Sequence, residues 1–423
     1  MHPQRRSEMM KTYLYQAAFA ACLFLTACNE SKTTDGEITV IPVGAALDAP
    51  SGLKASDYFK QVSYVALETN DSCLVGQNPS VKILHDKLLV TTAQKQCFLF
   101  DRATGRFLTS VGHVGNDPEG YSDVRGCWLD YPNNRIYFSG WNEKLIIYNA
   151  DGSYYGEKKT PVNTSVFPAF TVFNYLDNQT LVAHSTAGNG DPDRVIVFRD
   201  TMIINQFLPS GKDTMSLKVN PDDIESLSVT HSKGFGGGMI IISYKDGKMA
   251  AYPVSDRFFW HQGKDLFFME QFNDTIYQVT ADALLPVRRL DMASYYWNPK
   301  ERFNKEKTHV AYPTEMLEGK DVFLLRFIVD LYKDKLIYNA MFDKKSGIVK
   351  VAKYDTAFEN DLDGFLSLQP ESVSPDGEFA QIISADQVVS WFEENGDKND
   401  LPEEVTALRK VGEEDNPVVI IME

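Results

Sequence analysis

A strand–turn–strand unit that recurs along the chain is the feature that most limits how it can fold. Each unit has an apolar strand ending in an aromatic residue, then a polar turn, then a second strand. The aromatic residues Phe100, Tyr148 and Phe198 lie 48 and 50 residues apart, and Tyr244 follows 46 residues later. This period is too long for leucine-rich or ankyrin repeats and fits four short antiparallel strands, which form one blade of a β-propeller.

Two later segments, 273–279 and 348–355, are weaker copies of the unit. We therefore predict an all-β fold, a six-bladed β-propeller of four-stranded antiparallel blades within a single domain at residues 38–423. Seven blades, or a pair of irregular β-sandwiches, are the alternatives. Because an open terminal blade would leave strand edges unpaired, we expect 62–67 or 38–43 to add a strand to the last blade.

The C-terminal part predicts short helices followed by a strand. Ser384 and Gln387 have the spacing of a capping box, and a second helix is expected after Pro402. The apolar run 417–422 is typical of a final buried strand. The charged segment 295–316 is expected to be a loop or short helix between blades.

The N-terminus carries the most specific motif. A positively charged start with Lys11 leads into an apolar run, 17–27, that is too short to span a membrane and is typical of a signal peptide. The run ends Leu25-Thr26-Ala27-Cys28, which is similar to the bacterial lipobox, whose cysteine is lipidated. We predict a signal at residues 1–27, a lipid on Cys28 and a flexible tether at 28–37. The alternative is an ordinary secretory signal that leaves Cys28 unmodified.

The net charge argues against nucleic acid as a ligand, and the cysteine content limits the number of disulfides. The chain has a formal net charge of −16 and shows no basic stripe, so nucleic-acid binding is not expected. Cys73, Cys97 and Cys127 are an odd set that can form at most one disulfide, and we interpret them as buried strand thiols.

With these features together, the sequence resembles six-bladed β-propeller lipoproteins of Gram-negative bacteria, of the kind similar to NHL and TolB-like propellers. The likeness rests on the order of five stretches: the lipobox cysteine, 59–69, 111–121, 272–277 and 416–418. One departure is the turn Asp117-Pro-Glu-Gly-Tyr121, where the family usually has Gly-Pro-Gly-Glu-Tyr. The resemblance implies the fold and a cell-envelope location, but no reaction.

A search for catalytic and metal-binding motifs yields few candidates. The seven histidines show no metal-ligand spacing on one element, and no phosphate loop, nucleophile elbow or complete calcium loop occurs. No cofactor or metal is therefore predicted. The most polar turn contains His113, Asn116, Asp117 and Glu119 and is a candidate ligand site at one mouth of a propeller channel, with a structural inter-blade turn as the alternative.

Aromatic residues supply a second candidate. Tyr295, Tyr296 and Trp297 are surrounded by polar residues, so we expect an exposed platform for stacking a sugar ring. The alternative is that these rings pack between blades.

These observations favour a non-catalytic module of the cell envelope, lipid-anchored to the outer membrane, that binds a glycan, a peptide or a protein. Two alternatives are a hydrolase or lyase with a site at the central channel and a structural subunit of an outer-membrane complex.

The lipobox interpretation predicts the effect of replacing Cys28. A Cys28→Ser variant of the full chain should lose lipid labelling and leave the membrane fraction, because the acyl chains attach through that thiol. Metabolic labelling with a fatty-acid analogue and fractionation measure both effects. A Cys22→Ser variant is the control and should behave as wild type. A membrane-bound Cys28→Ser variant would contradict the anchor.

Overall fold

Short strands joined by tight turns make up most of the computed structural model, because β-branched and aromatic residues fit the pleated backbone. The structure describes residues 38–423, apart from 125, 142, 163–164, 167–168, 186–192, 210–219, 231–237, 254–257 and 399. The predicted signal, Cys28 and the tether lie outside the described residues. Within the described ranges, no helix has the length and apolar character needed to cross a bilayer.

Three strands and one helix precede the first complete sheet, and each of these strands pairs with a much later segment. They are β1 (Thr39–Ile41), α1 (Val43–Leu47), β2 (Leu53–Lys54) and β3 (Val62–Ala66).

The next strands form four antiparallel sheets in chain order. Sheet 1 contains β4 (Ser80–Leu84), β5 (Lys87–Thr91), β6 (Cys97–Asp101) and β7 (Phe107–Ser110). Sheet 2 contains β8 (Trp128–Asp130), β9 (Arg135–Ser139), β10 (Lys144–Asn149) and β11 (Tyr154–Lys159). Sheet 3 contains β12 (Ser165–Val166), β13 (Ala169–Tyr175), β14 (Leu181–Ser185), β15 (Arg194–Arg199) and β16 (Met202–Phe207). Sheet 4 contains β17 (Ile224–Thr230), β18 (Met239–Tyr244) and β19 (Met249–Pro253).

Three more sheets complete the fold. Sheet 5 contains β20 (Phe259–Gln262), β21 (Asp265–Phe268), β22 (Thr275–Val279) and β23 (Leu284–Leu290), to which β1 adds in parallel. Sheet 6 contains β24 (Ala311–Glu318), β25 (Val322–Val329), β26 (Leu336–Asp343) and β27 (Val349–Lys353). β28 (Phe358–Glu359) pairs with β2, and sheet 7 contains β29 (Ser372–Val373), β30 (Phe379–Ile383), β31 (Val418–Met422) and β3.

Two helices, α2 (Ala385–Glu394) and α3 (Glu403–Ala407), separate β30 from β31. The predicted capping box is present, since the amide of Ser384 donates to Gln387 Oε1 at 3.1 Å. The predictions of both helices and of the final strand are confirmed. The segment 295–316 is only partly a loop, because it holds 3₁₀ turns and then enters β24 at Ala311.

The strands differ in burial according to their place in the sheet. Inner strands such as β5, β6, β14 and β25 are buried on both faces, whereas every residue of the outer strands β11 and β16 is exposed or half-buried. Residues alternate between the two faces of a strand. A strand buried at consecutive residues is therefore covered on both faces by neighbouring sheets.

Six apolar clusters show which sheets are neighbours. They lie between sheets 7 and 1, 1 and 2, 2 and 3, 3 and 5, 5 and 6, and 6 and 7. Sheet 4 instead contributes Met239 and Ile241 to a cluster with Tyr312 and Ile328 of sheet 6. The described chain therefore has a propeller-like all-β fold of antiparallel sheets packed face to face.

The repeat seen in the sequence corresponds to one position in this architecture. Phe100, Tyr148 and Phe198 lie on β6, β10 and β15, each the last strand but one of its sheet, and in each case the pairing with the last strand shifts register immediately before the aromatic residue. Tyr277 has the same bulge in sheet 5. Tyr244 was wrongly assigned to the series, because it lies on the middle strand of sheet 4 and the pairing of that strand with β19 shows no register shift. The shift in this sheet falls on β17, between Ile224 and Ser226.

The chain ends meet as the sequence predicts. β3 pairs antiparallel with β31 from Val62 opposite Met422 to Ala66 opposite Val418. Next to this pairing, the buried Asn416 side chain donates to the carbonyls of Glu68 and Cys73 and accepts from the amide of Val75. The earlier segment 39–41 pairs with sheet 5 instead.

Ile420 provides a test of how much this closure stabilises the fold. Its side chain is fully buried between sheets 6 and 7, so Ile420→Ala should lower the free energy of unfolding by about 2–5 kcal/mol. Ile348→Ala is the control at a side chain that is 57% exposed and should cost less than about 0.5 kcal/mol. Urea titration measures both, and equal losses at the two positions would contradict the proposed packing.

Candidate functional site

The predicted polar turn lies in the loop that links β7 of sheet 1 with β8 of sheet 2. His113 Nε2 lies 2.7 Å from Asp117 Oδ2, and both side chains are exposed. This hydrogen bond is the main reason that the pKa of the Asp117 carboxyl is lowered. The amide of Glu119 donates to Asp117 Oδ1 at 3.1 Å, so the turn is held together locally.

The backbone of this loop is attached to sheet 2. The hydroxyl of Tyr148 donates to the carbonyl of Glu119, and that of Tyr154 donates to the carbonyl of Pro118 at 3.1 Å. A Cβ on Gly120 would meet the Gly115 backbone at 2.6 Å, which explains a glycine at this position. These contacts support the structural interpretation of the turn. A ligand role for His113, Asn116, Asp117 and Glu119 stays a prediction.

The aromatic segment occupies a different place. Trp297 is only 4% exposed and contacts Phe272 edge to face at 4.9 Å between ring centroids, so it is a core residue and not an open platform. The ring of Tyr295 lies 4.1 Å from that of His309, and Tyr296 is 47% exposed. Among the described contacts, none joins this segment to the turn at 113–119.

The structure contains a central cavity of about 140 Å³, and sequence reasoning, which considered a site at a central channel, identified none of the residues that line it. Its lining draws one or more residues from the first strand of each of sheets 1, 2, 5, 6 and 7 and from β13 of sheet 3. The side chains that line it combine aromatic and polar groups: Lys82, Trp128, Tyr131, Asn174, Trp260, His261, Glu371 and Ser372.

Two lining residues of opposite charge have defined surroundings. The ammonium of Lys82, on β4, donates to the carbonyl of Cys127 at 2.5 Å. Glu371 is 7% exposed and directly precedes Ser372, whose hydroxyl donates to the carbonyl of Val81 at 2.6 Å. The cavity wall therefore holds one cation and one carboxylate among its aromatic rings.

His261 is the most strongly perturbed histidine of the described chain. Its Nε2 lies 3.2 Å from both Asn174 Oδ1 and the carbonyl of Tyr175, so Nε2 carries the proton and donates. Its ring stacks on Tyr175 at 3.8 Å between centroids. Burial lowers the pKa of His261 to about 3, so the imidazole is neutral in the folded protein.

A buried carboxylate, that of Glu318, contacts one of the aromatic residues that line the cavity. Glu318 is fully buried and accepts a hydrogen bond of 2.8 Å from Trp260 Nε1, whose ring lines the cavity. Arg288 and Lys344 lie 2.8 Å and 2.6 Å from Glu318 Oε1. Because an unpaired buried charge is costly, these two cations stabilise the ionised carboxylate that orients Trp260.

The sequence contains a weak signal for this site. Three short apolar strands each contain a polar residue: Lys82, Asn174 and His261. Polar residues are uncommon in strands that are otherwise buried. That signal becomes useful only when the first strand of each sheet has been identified, because those strands face the central cavity.

Comparisons with known proteins place the chain in a family. It belongs to the family described as Domain of unknown function (DUF4934), whose model matches residues 38–423. None of the curated proteins compared with the chain matches it.

One solved structure agrees with the fold. The chain is similar to a "Putative exported protein" from Bacteroides fragilis NCTC 9343, with 16% identity, a TM-score of 0.63, and coverage of 92% of this chain and 99% of that chain. The β-propeller domain of Cps50 (Swd1) from Myceliophteria thermophila matches with 10% identity and a TM-score of 0.36, over 76% of this chain and 95% of that one. A DUF4221 member from Bacteroides vulgatus ATCC 8482 matches with 9% identity and a TM-score of 0.37, over 86% and 96%. Of these three, the first supports the fold, and none of them indicates a function.

The low pKa of His261 predicts a pH dependence of stability. The unfolded chain takes up a proton near pH 6.5 that the folded chain takes up only near pH 3. His261 therefore does not lower the free energy of unfolding above about pH 6.5. As the pH falls from about 6.5 to about 3, that free energy decreases by up to about 1.4 kcal/mol per pH unit. His261→Gln should flatten the dependence measured by urea titration at several pH values. The neighbouring Gln262→Asn is the control, and an unchanged slope in His261→Gln would contradict the assignment.

Proposed function

We propose that this chain is a lipid-anchored, extracytoplasmic binding module of the cell envelope whose central cavity takes one ring of a glycan. The observation that carries the proposal is the cavity lined by aromatic and polar side chains from six sheets. The lipid on Cys28, the outer-membrane location and the blade count are part of the same proposal.

The order in which the sheets pack supports a six-bladed propeller. Sheets 7, 1, 2, 3, 5 and 6 contact one another in turn, and sheet 6 returns to sheet 7. Sheet 4 packs on sheet 6 and is an insertion rather than a blade. The proposal therefore keeps six blades, as predicted from the sequence. It counts sheet 7, which joins the chain ends, in place of sheet 4, which holds Tyr244.

The N-terminal motif supports export and anchoring. A charged start, a short apolar run and Leu25-Thr26-Ala27-Cys28 precede the matched family region. The Bacteroides fragilis structure similar to this chain is described as exported. A polar tether at 28–37 would hold the propeller away from the membrane surface.

The size of the cavity limits the ligand. Pockets for drug-sized molecules measure roughly 300–1,000 Å³, whereas a cavity of about 150 Å³ accommodates a molecule the size of benzene. At about 140 Å³, this cavity admits one ring and excludes a folded protein surface. The ligand would enter as the end of a longer chain.

The chemistry of the lining favours a sugar ring over an apolar one. Trp128, Tyr131 and Trp260 offer apolar ring surface, and Lys82, Asn174 and Glu371 offer hydrogen-bonding groups around it. Hydroxyl groups donate to a carboxylate and accept from an ammonium, and such charge-assisted hydrogen bonds are strong. A purely apolar ligand would leave both charged groups without hydrogen bonds from the ligand.

Paired charge-neutralising variants test the proposal. Glycan-array screening of the full chain in detergent would identify a ligand, and calorimetry would measure its affinity. Lys82→Met and Glu371→Gln should each weaken glycan binding about tenfold or more, because each removes a charge-assisted hydrogen bond. Lys350→Met removes an exposed cation that pairs with Asp57 and should bind as wild type.

Three outcomes would overturn the proposed ligand. They are the absence of glycan binding, binding that both cavity variants retain at full strength, and binding of peptides alone on a parallel peptide array. Circular dichroism spectra of each variant would establish that the fold is intact.

A further inference from the structure

Three potential metal ligands meet where sheet 3 packs against sheet 5, apart from the central cavity. His184 lies on β14, Asp193 directly precedes β15, and Glu270 follows β21. One ligand atom from each side chain lies within 4.8 Å of the other two. None of the three lines the central cavity.

The topology explains why residues distant in sequence converge here. β14 and β15 pair antiparallel, with Ser185 opposite Arg194, so His184 and Asp193 lie together at the end of the hairpin where the chain passes from one strand to the next. Glu270 leaves sheet 5 in the corresponding connection between its second and third strands. The apolar cluster shared by sheets 3 and 5 holds these two ends together.

His184 is a buried polar side chain whose ring nitrogens make no hydrogen bond with the described residues. Its side chain is 1% exposed, its ring lies 4.6 Å and 5.1 Å from the rings of Phe258 and Phe268, and neither ring nitrogen has a hydrogen-bond partner within the described residues. A buried polar group without a partner costs about 1–3 kcal/mol, so natural proteins rarely leave both imidazole nitrogens in this state.

The geometry between His184 and Glu270 fits coordination better than a hydrogen bond. Nε2 of His184 lies 3.8 Å from Oε1 of Glu270, which is 3% exposed. This separation is too long for a hydrogen bond, yet two ligands each about 2.0–2.2 Å from one ion can lie this far apart.

We propose that His184, Asp193 and Glu270 bind a divalent first-row transition metal, with Zn²⁺ as the best fit. Imidazole nitrogen and carboxylate oxygen are both zinc ligands, whereas Ca²⁺ and Mg²⁺ prefer oxygen ligands alone. The ion gives the buried His184 ring a partner and joins sheet 3 to sheet 5. A water molecule or another ligand would complete its coordination.

Metal content and stability of the full chain purified in detergent test this site. Wild-type protein should retain one Zn²⁺ per chain by mass spectrometry of the metal, and removing it with a chelator should lower the melting temperature reversibly. Asp193→Asn, at a partly exposed position, should weaken Zn²⁺ binding at least about tenfold without unfolding the protein, since even outer-shell changes at metal sites have effects of this size. His184→Leu should bind still less.

His85→Asn is the matched control, because it removes an exposed histidine at positive φ, which asparagine tolerates, and should bind Zn²⁺ as wild type. Zinc-free wild-type protein that does not take up Zn²⁺, or equal binding by wild type, Asp193→Asn and His184→Leu, would overturn the site. Lys82→Met should keep its metal, so failure of glycan binding at the cavity is distinguishable from failure here.

Discussion

Antiparallel pairing between β3, near the start of the described chain, and β31 at its end is the interaction on which the rest of the structure depends. Without β3, the edge of β31 would present unpaired amides and carbonyls. The pairing also places Val62 against sheet 6 and Val65 against sheet 1, so sheet 7 contributes to two of the apolar clusters. Asn416 reinforces the junction through three hydrogen bonds to the segment 68–75.

Sheets packed around a centre bring their first strands together. Polar side chains on those strands then become buried, which costs free energy unless each has a partner. His261 stays neutral and donates to Asn174 and Tyr175, while Glu318 is neutralised by Arg288 and Lys344. Lys82 and Glu371, which also line the cavity, are the charged groups that the proposed ligand would contact.

Local signals predicted a large part of the fold. Phe100, Tyr148 and Phe198 repeat because a bulge precedes the aromatic residue on the last strand but one of sheets 1, 2 and 3. The spacing of Ser384 and Gln387 identified α2. Tyr244 led to the wrong assignment of sheet 4 as a blade. An apolar strand followed by Lys-Asp-Gly has the same local sequence pattern in a blade and in a sheet outside the ring of blades. Trp297 also led to a wrong assignment, because polar neighbours in the chain do not decide whether a ring is buried by Phe272.

The sequence by itself determined the all-β class, the recurring unit and the C-terminal helices, because these depend on periodicity, turns and caps within short segments. For the strand that joins the chain ends it left two candidates, 62–67 and 38–43, and the structure selects the first. Only the tertiary structure decided which sheets are neighbours, and with that the cavity around His261 and the cluster of His184, Asp193 and Glu270. The physical reason is that both sites join residues from different sheets. Their proximity is set by face-to-face packing over long sequence separations, which no local pattern records.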